Sequence, residues 1–390
     1  MGAVPARHAR ATGHTGRVET SEPGTLVTST RPAAVRQRVH GIDMARGLAI
    51  IGMVMIHVGP QEAPGGGLVG AAYRSAHGRA SILFIVLAGI GVSLLAGDRS
   101  RRRAAGASRR LWWRALVLLP VGLYLQAQPT NVAVILQYYA VYFVVASLLL
   151  RLGDRALLAI AAASATVAPV LIIWLQQTVP AWFQPGVPQW HDVARIVRDI
   201  LLTGHYPVAT WAAPLAFGMW LGRRDLLGGG VARRMIAGGV LVAAIGFAVS
   251  DMMIAVLGVA GSEADWRQLA TIEPHNQMPL WLVTSAAIAV AVTGCCIMIG
   301  RHLPRVSWPL VAFGQLAFTV YVLHVLVLAR WPDWLVRDDL VAAWLSVARF
   351  TIVSVALATA YRMVAARGPF EVLLRLPWQR PARSSTAGGR

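Results

Sequence analysis

Apolar runs long enough to cross a lipid bilayer recur along this chain, at about 44–60, 79–97, 111–127, 131–150, 156–178, 207–222, 235–258, 279–300, 308–329 and 340–363. Lipid offers no hydrogen-bonding partner to an open backbone, so a chain built of such runs must fold each of them as a helix that satisfies its own peptide groups. The composition agrees, with 56% hydrophobic residues, 14% charged residues and a mean hydropathy of +0.57. The expected fold is all-α: a polytopic membrane protein of about ten transmembrane helices.

A net charge of +19 would ordinarily raise the question of nucleic acid. Here every basic residue is an arginine, and the arginines gather in the short connections between apolar runs, which membrane topology explains better. No nucleic-acid partner is expected. The arginine-rich connections alternate along the chain, and this bias places both termini in the cytoplasm. The strongest inside marker runs from Arg99 to Arg114, beside the interfacial pair Trp112 and Trp113. Residues 1–38, rich in Arg, Thr, Gly and Pro without apolar period, read as a disordered cytoplasmic tail, and 377–390 as a second. No short apolar core of a cleavable signal follows Met1. The membrane domain spans 39–376. The only cysteines, Cys295 and Cys296, are adjacent in one run and imply neither a disulfide nor a metal framework.

Ionisable residues at membrane depth are costly, so they mark functional positions. The first run carries three: Asp43, Arg46 and His57. Eleven residues of helix separate Arg46 from His57, which returns nearly to the same face roughly 16 Å further along the axis. One stripe can therefore touch both ends of a long ligand. With the termini inside, His57, His77, His191, His205, His275 and His324 fall toward the outer half, beside Glu62, Glu263, Asp265 and Glu273. Converging imidazoles and carboxylates suit proton transfer. Their spacing does not suit a helix-borne metal site, and no metal is expected. His8, His14, His40 and His302 lie inside and look incidental. The polar patch Gln137, Tyr138, Tyr139 and Tyr142 serves either interfacial packing or an acceptor. Asp251 and Arg349 are isolated charges whose mutual pairing would relieve both, unless Arg349 lines the acceptor path. The long outer loop 179–206 offers Trp182, Phe183, Trp190 and His191 for stacking on a sugar or lying in the interface. The chain has no Gly-x-Ser-x-Gly elbow, no phosphate-binding Gly-x-x-x-x-Gly-Lys loop and no His-Glu-x-x-His, which removes the familiar hydrolases and NTPases.

The segment Arg38-Val39-His40-Gly41-Ile42-Asp43-Met44-Ala45-Arg46-Gly47-Leu48-Ala49 resembles the opening of the transmembrane acyltransferase superfamily, whose Arg-x10-His signature Arg46 and His57 match. The chain looks most like the bacterial DUF418 group, related to heparan-α-glucosaminide N-acetyltransferase and to the acyltransferase-3 proteins. Further segments carry the likeness: His77-Gly78-Arg79-Ala80-Ser81, Thr203-Gly204-His205-Tyr206-Pro207 with Trp211, Phe313-Gly314-Gln315 through His324, and Arg367-Gly368-Pro369-Phe370-Glu371. Together they cover residues 38–375.

That resemblance implies transfer of an acyl group, most simply acetyl, from cytosolic acetyl-CoA to an amine or hydroxyl of an extracytoplasmic glycan or glycosylated metabolite, in a bacterial plasma membrane. Arg46 would bind CoA phosphate, Asp43 would hold its guanidinium, and Arg79 is a further donor-binding candidate or else a snorkelling arginine. His57 would act as general base or as a nucleophile forming an acyl-imidazole. His77 competes for that role, since the heparan enzyme's branch keeps its reactive histidine in the loop before the second span. His324, sharing a face with Tyr321, could reach His57. His205, Tyr206, Tyr139, Trp211 and Arg349 are the acceptor-binding candidates. Membrane lipids are expected partners, and related families include homodimers. The alternatives are a proton-coupled or anion transporter and a non-catalytic envelope assembly protein.

Overall fold

In the computed structural model, the described residues are 39–60, 67–97, 101–184 and 192–375. The tails at 1–38 and 377–390, Glu62, Trp190 and His191 lie outside them. The described chain is helical and contains no strand. Its helices are α1 (His40–Val58), α2 (Leu68–Ala76), α3 (Arg79–Ala96), α4 (Arg101–Gln126), α5 (Leu136–Leu149), α6 (Asp154–Thr178) and α7 (Val193–Arg198), followed by α8 (Val208–Leu221), α9 (Val231–Leu257), α10 (Pro279–His302), α11 (Pro304–Gln315), α12 (Ala317–Arg330), α13 (Pro332–Leu335) and α14 (Leu340–Val364).

A helix occupies each of the ten apolar runs, but they are not equivalent. Among the described residues six helices are long and apolar enough to cross a membrane: α1, α3, α6, α9, α10 and α14. The run expected as one span at 308–329 is two helices, α11 and α12, bent by 65° at Leu316, and counting the pair as one gives seven. Helices α5 and α8 have 14 residues each. That gives a length of roughly 21 Å, short of a hydrocarbon core of about 30 Å. The arginines at 101–103 begin α4 and do not form a loop. Arginine and alanine are good helix formers, and the single Gly106 in 101–110 does not outweigh them.

Helix α1 is central, packed against α3, α10, α11 and α14. Its spanning window is 67% buried, against 17% for α9 and α14. Those two present Val240, Leu241, Ile245, Ile352, Val353 and Leu357 outward, as lipid-facing helices do. Between helices the closest approaches are made by glycine, as expected where lipid tails are as apolar as leucine and packing must drive association. A Cβ on Gly89 of α3 would collide with the Leu215 carbonyl of α8, and one on Gly218 of α8 with the Val86 carbonyl of α3. Gly314 of α11 lies on the Asp43 carbonyl in the same way, which brings α11 against the charged start of α1.

At the bend, α12 begins inside the bundle with exposed amide donors. The Glu371 carboxylate supplies their partners: Oε1 accepts from the Phe318 and Thr319 amides, both at 2.9 Å, and Oε2 from the Thr319 hydroxyl at 2.6 Å. An anion at a helix N-terminus is also favoured by the helix dipole. The C-terminal segment thereby fixes the helix that carries Tyr321 and His324.

Candidate active site

Asp43 is 2% exposed and accepts Arg46 Nη1 at 2.8 Å and Gln315 Nε2 at 3.3 Å. Gln315 Oε1 in turn accepts Arg362 Nε at 2.8 Å. This chain of bonds ties α1 to α11 and α14 and fixes the direction of Arg46, whose side chain keeps 31% exposure. Gly91 of α3 leaves room for it: a Cβ there would lie 3.2 Å from Arg46 Nη2. Arg114 of α4 lies within electrostatic reach of Arg46 and Arg110, its guanidinium 6.0 Å from the centre of the Phe143 ring. Among the described residues its Nε is buried without a hydrogen-bond partner. Arg46 and Arg114 within electrostatic reach of one another, with the buried Asp43 carboxylate bonded to Arg46, suit a polyanion.

From there polar groups run toward the other end. Tyr139 feels the charge of Arg46 and lies near Tyr321, and its buried hydroxyl has no partner among the described residues. The Tyr321 hydroxyl accepts the Ile135 amide at 3.2 Å, and its ring meets His324 edge-on with centroids 5.0 Å apart. His324 is 1% exposed, and its Nε2 is 3.2 Å from His57 Nδ1. His77 and His275 both lie within electrostatic reach of His57. His77 packs edge-on to Tyr73, whose hydroxyl donates to the Met55 carbonyl at 2.8 Å.

Beyond the histidine pair, the loop ahead of α10 packs on the turn ahead of α8. Tyr206 is buried between Trp211 (ring centroids 4.9 Å apart) and His275 (5.9 Å), and Trp281 backs both Trp211 and His275. Gln277 accepts the Thr210 hydroxyl at 3.0 Å and donates to the Gly204 carbonyl at 3.3 Å. His275 and Gln277 both have positive φ, 61° and 62°, a conformation that costs a non-glycine residue energy and tends to collect at functional sites. Gly78, also at positive φ, lies on the His275 backbone, where a side chain would strike Trp281. Burial, with the charges of His205 and His77, holds the His275 imidazole down at about 4.

The sequence candidates thus fall into two ends and a connection. Asp43 and Arg46 form one end; His57, His77 and His324, with His205, Tyr206 and Trp211, form the other; Tyr139 lies between. Arg79 does not join Arg46: it starts α3 at the histidine end, with its guanidinium 5.6 Å from the centre of the Phe247 ring. Gly91, the α3 neighbour of Arg46, is twelve residues further on, roughly 18 Å along the axis. Arg349 and Asp251 are exposed on α14 and α9, and no ion pair joins them among the described residues. Sequence reasoning gave no site role to Arg114, Glu371 or Gln277: Arg114 stood only in the topology signal, Glu371 only in a segment of family likeness, and His275 only among the outer histidines. The compact polar run Glu273-Pro274-His275-Asn276-Gln277 between two apolar stretches was the available signal. No grouping of three or more His, Cys, Asp or Glu suited to a metal occurs among the described residues.

Compared with known families, residues 132–363, more than half of the chain, match the acyltransferase-3 family, described as an acyltransferase domain. No curated protein matches the sequence.

Proposed function

The chain belongs to the acyltransferase-3 family, and on that premise we propose that it takes an acyl group, most simply acetyl, from acyl-CoA bound at the Arg46 end and delivers it to an acceptor at the His57 end. The observation that carries this reading is the file of polar side chains Arg46, Tyr139, Tyr321, His324 and His57, which links a cationic end to a histidine end through an apolar bundle. A CoA thioester has that shape: phosphates at one end, a long neutral arm, and the reactive carbonyl at the other.

In this reading Arg46, held by Asp43, and Arg114 with its unpaired Nε bind donor phosphate. The thioester reaches His57. With His324 Nε2 accepting the bond from His57 Nδ1–H, the lone pair of His57 Nε2 is left as the base. The acceptor hydroxyl or amine attacks the thioester carbonyl while its proton passes to Nε2. The new C–O or C–N bond forms, the C–S bond breaks, and the imidazolium returns the proton to the departing CoA sulfur. Direct attack by His57, giving an acyl-imidazole, needs the same geometry. In this reading the donor end faces the cytoplasm and the acceptor end the outside of a bacterial plasma membrane, an orientation supported by the arginine bias. Closer kinship to the DUF418 group and the heparan acetyltransferase belongs to the same reading, supported by Asp43-x-x-Arg46-Gly47 and by residues 313–324. The transport alternative gains nothing from the family match.

The test is acyl transfer by purified protein in lipid nanodiscs with labelled acetyl-CoA, comparing wild type with Arg46→Ala, His57→Ala and His77→Ala. Label passed to a sugar acceptor by wild type and lost in His57→Ala is the expected result. Absence of acyl-CoA binding and turnover in wild type would sink the reading.

A further inference from the structure

The histidine helix α12 starts at a break, where the backbone is bent by 65° and α11 does not carry its direction forward. The start of α12 is held instead by the segment 365–373, a strap tied at several points. Near α14 the Ala365 carbonyl accepts Arg362 Nη1 at 2.6 Å, and Arg362 Nε is the donor to Gln315. In the middle Phe370 packs edge-on to Phe318, with ring centroids 5.9 Å apart, and its amide donates to the Thr319 hydroxyl at 3.2 Å, beside the three bonds of Glu371. At the far end the Leu373 carbonyl accepts Trp113 Nε1 of α4 at 2.8 Å. A tight turn makes the cap and the far anchor one piece: the Leu373 amide donates to the Phe370 carbonyl at 3.1 Å, and the Val372 amide to the Gly368 carbonyl at 3.3 Å. Gly368 is buried in this turn, and a Cβ there would strike the Glu371 carboxylate and Leu316.

We propose that Trp113 is a positioning residue for His324: through Leu373 and Glu371 it sets where α12 begins, and so where the His57–His324 pair stands relative to the donor end. This deepens the acyltransferase reading and rests on it for the role of that pair. Trp113 is the neighbour of Arg114 on α4, so one helix carries both a donor-binding guanidinium and the anchor of the strap that aims the histidines. The distance from phosphates to thioester carbonyl in the donor is limited by its covalent structure, so the two ends must be kept in register. A reacting group misplaced by about 1 Å can cost about 10²-fold in rate. Anchoring α4 at the membrane surface needs only an indole in the interface, which Trp112 provides with 53% exposure. The directed bond from Trp113 Nε1 into the strap goes beyond that need.

The experiment combines amide hydrogen exchange of the full chain in nanodiscs, without donor, with initial rates of transfer from labelled acetyl-CoA. Wild type is compared with Trp113→Phe, Glu371→Gln, the double variant, and Trp112→Phe as the matched control. Phenylalanine keeps an aromatic ring and removes the N–H. Trp113→Phe is expected to speed exchange at the Phe318 and Thr319 amides and to lower kcat about fivefold, the worth of one hydrogen bond, with KM for acyl-CoA unchanged because Arg46 and Arg114 keep their places. The losses do not multiply in the double variant, since both substitutions act through one carboxylate. Trp112→Phe changes neither exchange nor rate. Unaltered exchange at 318–319 in Trp113→Phe, a raised KM with unchanged kcat, or losses that multiply in the double variant overturn the positioning role and leave the transferase standing. Faster exchange in Trp113→Phe in a protein that never turns over acyl-CoA supports the strap and removes the transferase.

Discussion

His57 Nδ1 and His324 Nε2 lie 3.2 Å apart with their rings within 3° of parallel, although 267 residues separate them in the chain. At that distance one nitrogen donates and the other accepts, so the tautomers of the two rings are locked together. His324 thereby decides which nitrogen of His57 faces the reaction.

His57→Ala therefore removes the base and lowers the acyl-transfer rate by about 10²- to 10⁴-fold, the usual worth of general acid–base catalysis. His324→Gln keeps a side-chain acceptor and retains more activity than His324→Ala. Initial rates with labelled donor, alongside melting temperatures, separate this from misfolding. Equal losses in both His324 variants would mean that the hydrogen bond is irrelevant.

At the opposite end, Arg46→Gln and Arg114→Gln raise KM for acyl-CoA by about tenfold, with a smaller change in kcat, because they remove binding shared by ground and transition states. Asp43→Ala acts through Arg46 and also through stability, since it leaves the Arg46 and Gln315 donors without their common partner. Steady-state kinetics over a range of acyl-CoA concentrations decides the split. A pure kcat effect in the arginine variants would place them elsewhere in the cycle.

Glu371→Gln weakens the three hydrogen bonds that start α12, at a cost of about 1–2 kcal/mol for a lost helix cap with its charge. Thermal unfolding in detergent reads the loss. Transfer activity falls with it, because His324 rides on that helix, and an unchanged rate would show that α12 holds its place without the cap.

Gly314→Ala forces α11 off α1, since the new methyl overlaps the Asp43 carbonyl. Overpacking of this kind costs about 1–3 kcal/mol or more. Gly238→Ala on α9 has nothing within 4 Å and is the matched control. Yield of monodisperse protein is expected to drop for the first variant and to hold for the second.

The His275 imidazole, held down at about 4, gives a pH dependence of definite sign. Unfolded histidine titrates near 6.5, so between about 6.5 and 4 the unfolded chain binds more protons than the folded one. Stability on this account is complete above 6.5 and declines as the pH falls toward 4; His77, also pushed down by burial, acts in the same direction. The melting temperature in that interval should fall less steeply in His275→Gln. An identical slope in the variant would remove His275 from the balance.

The sequence alone determined the all-helical class and the presence of a first membrane helix carrying Arg46 and His57. Long apolar runs leave the backbone no option in lipid but helix, and the register of Arg46 and His57 follows from helical geometry without any partner. The Asp43–Arg46 pair was legible for the same reason, because residues three apart on a helix are neighbours. Tertiary structure alone decided the rest. The break at Leu316 was invisible because the carboxylate that caps α12 comes from Glu371, 52 residues beyond Thr319. The count of long spans fell because α5 and α8 are short helices lodged against neighbours and because α4, 26 residues long, carries Arg109, Arg110 and Arg114 into its apolar run and is not among the long apolar helices. Arg114 read as part of a topology signal until α4 carried it beside Arg46. Arg79 looked like a companion of Arg46 until the α1–α3 packing put them at opposite ends. His324 and the 273–278 loop come near His57, and Tyr139 near Tyr321, only through helix crossings, and periodicity says which face a residue occupies but not which helix that face will meet.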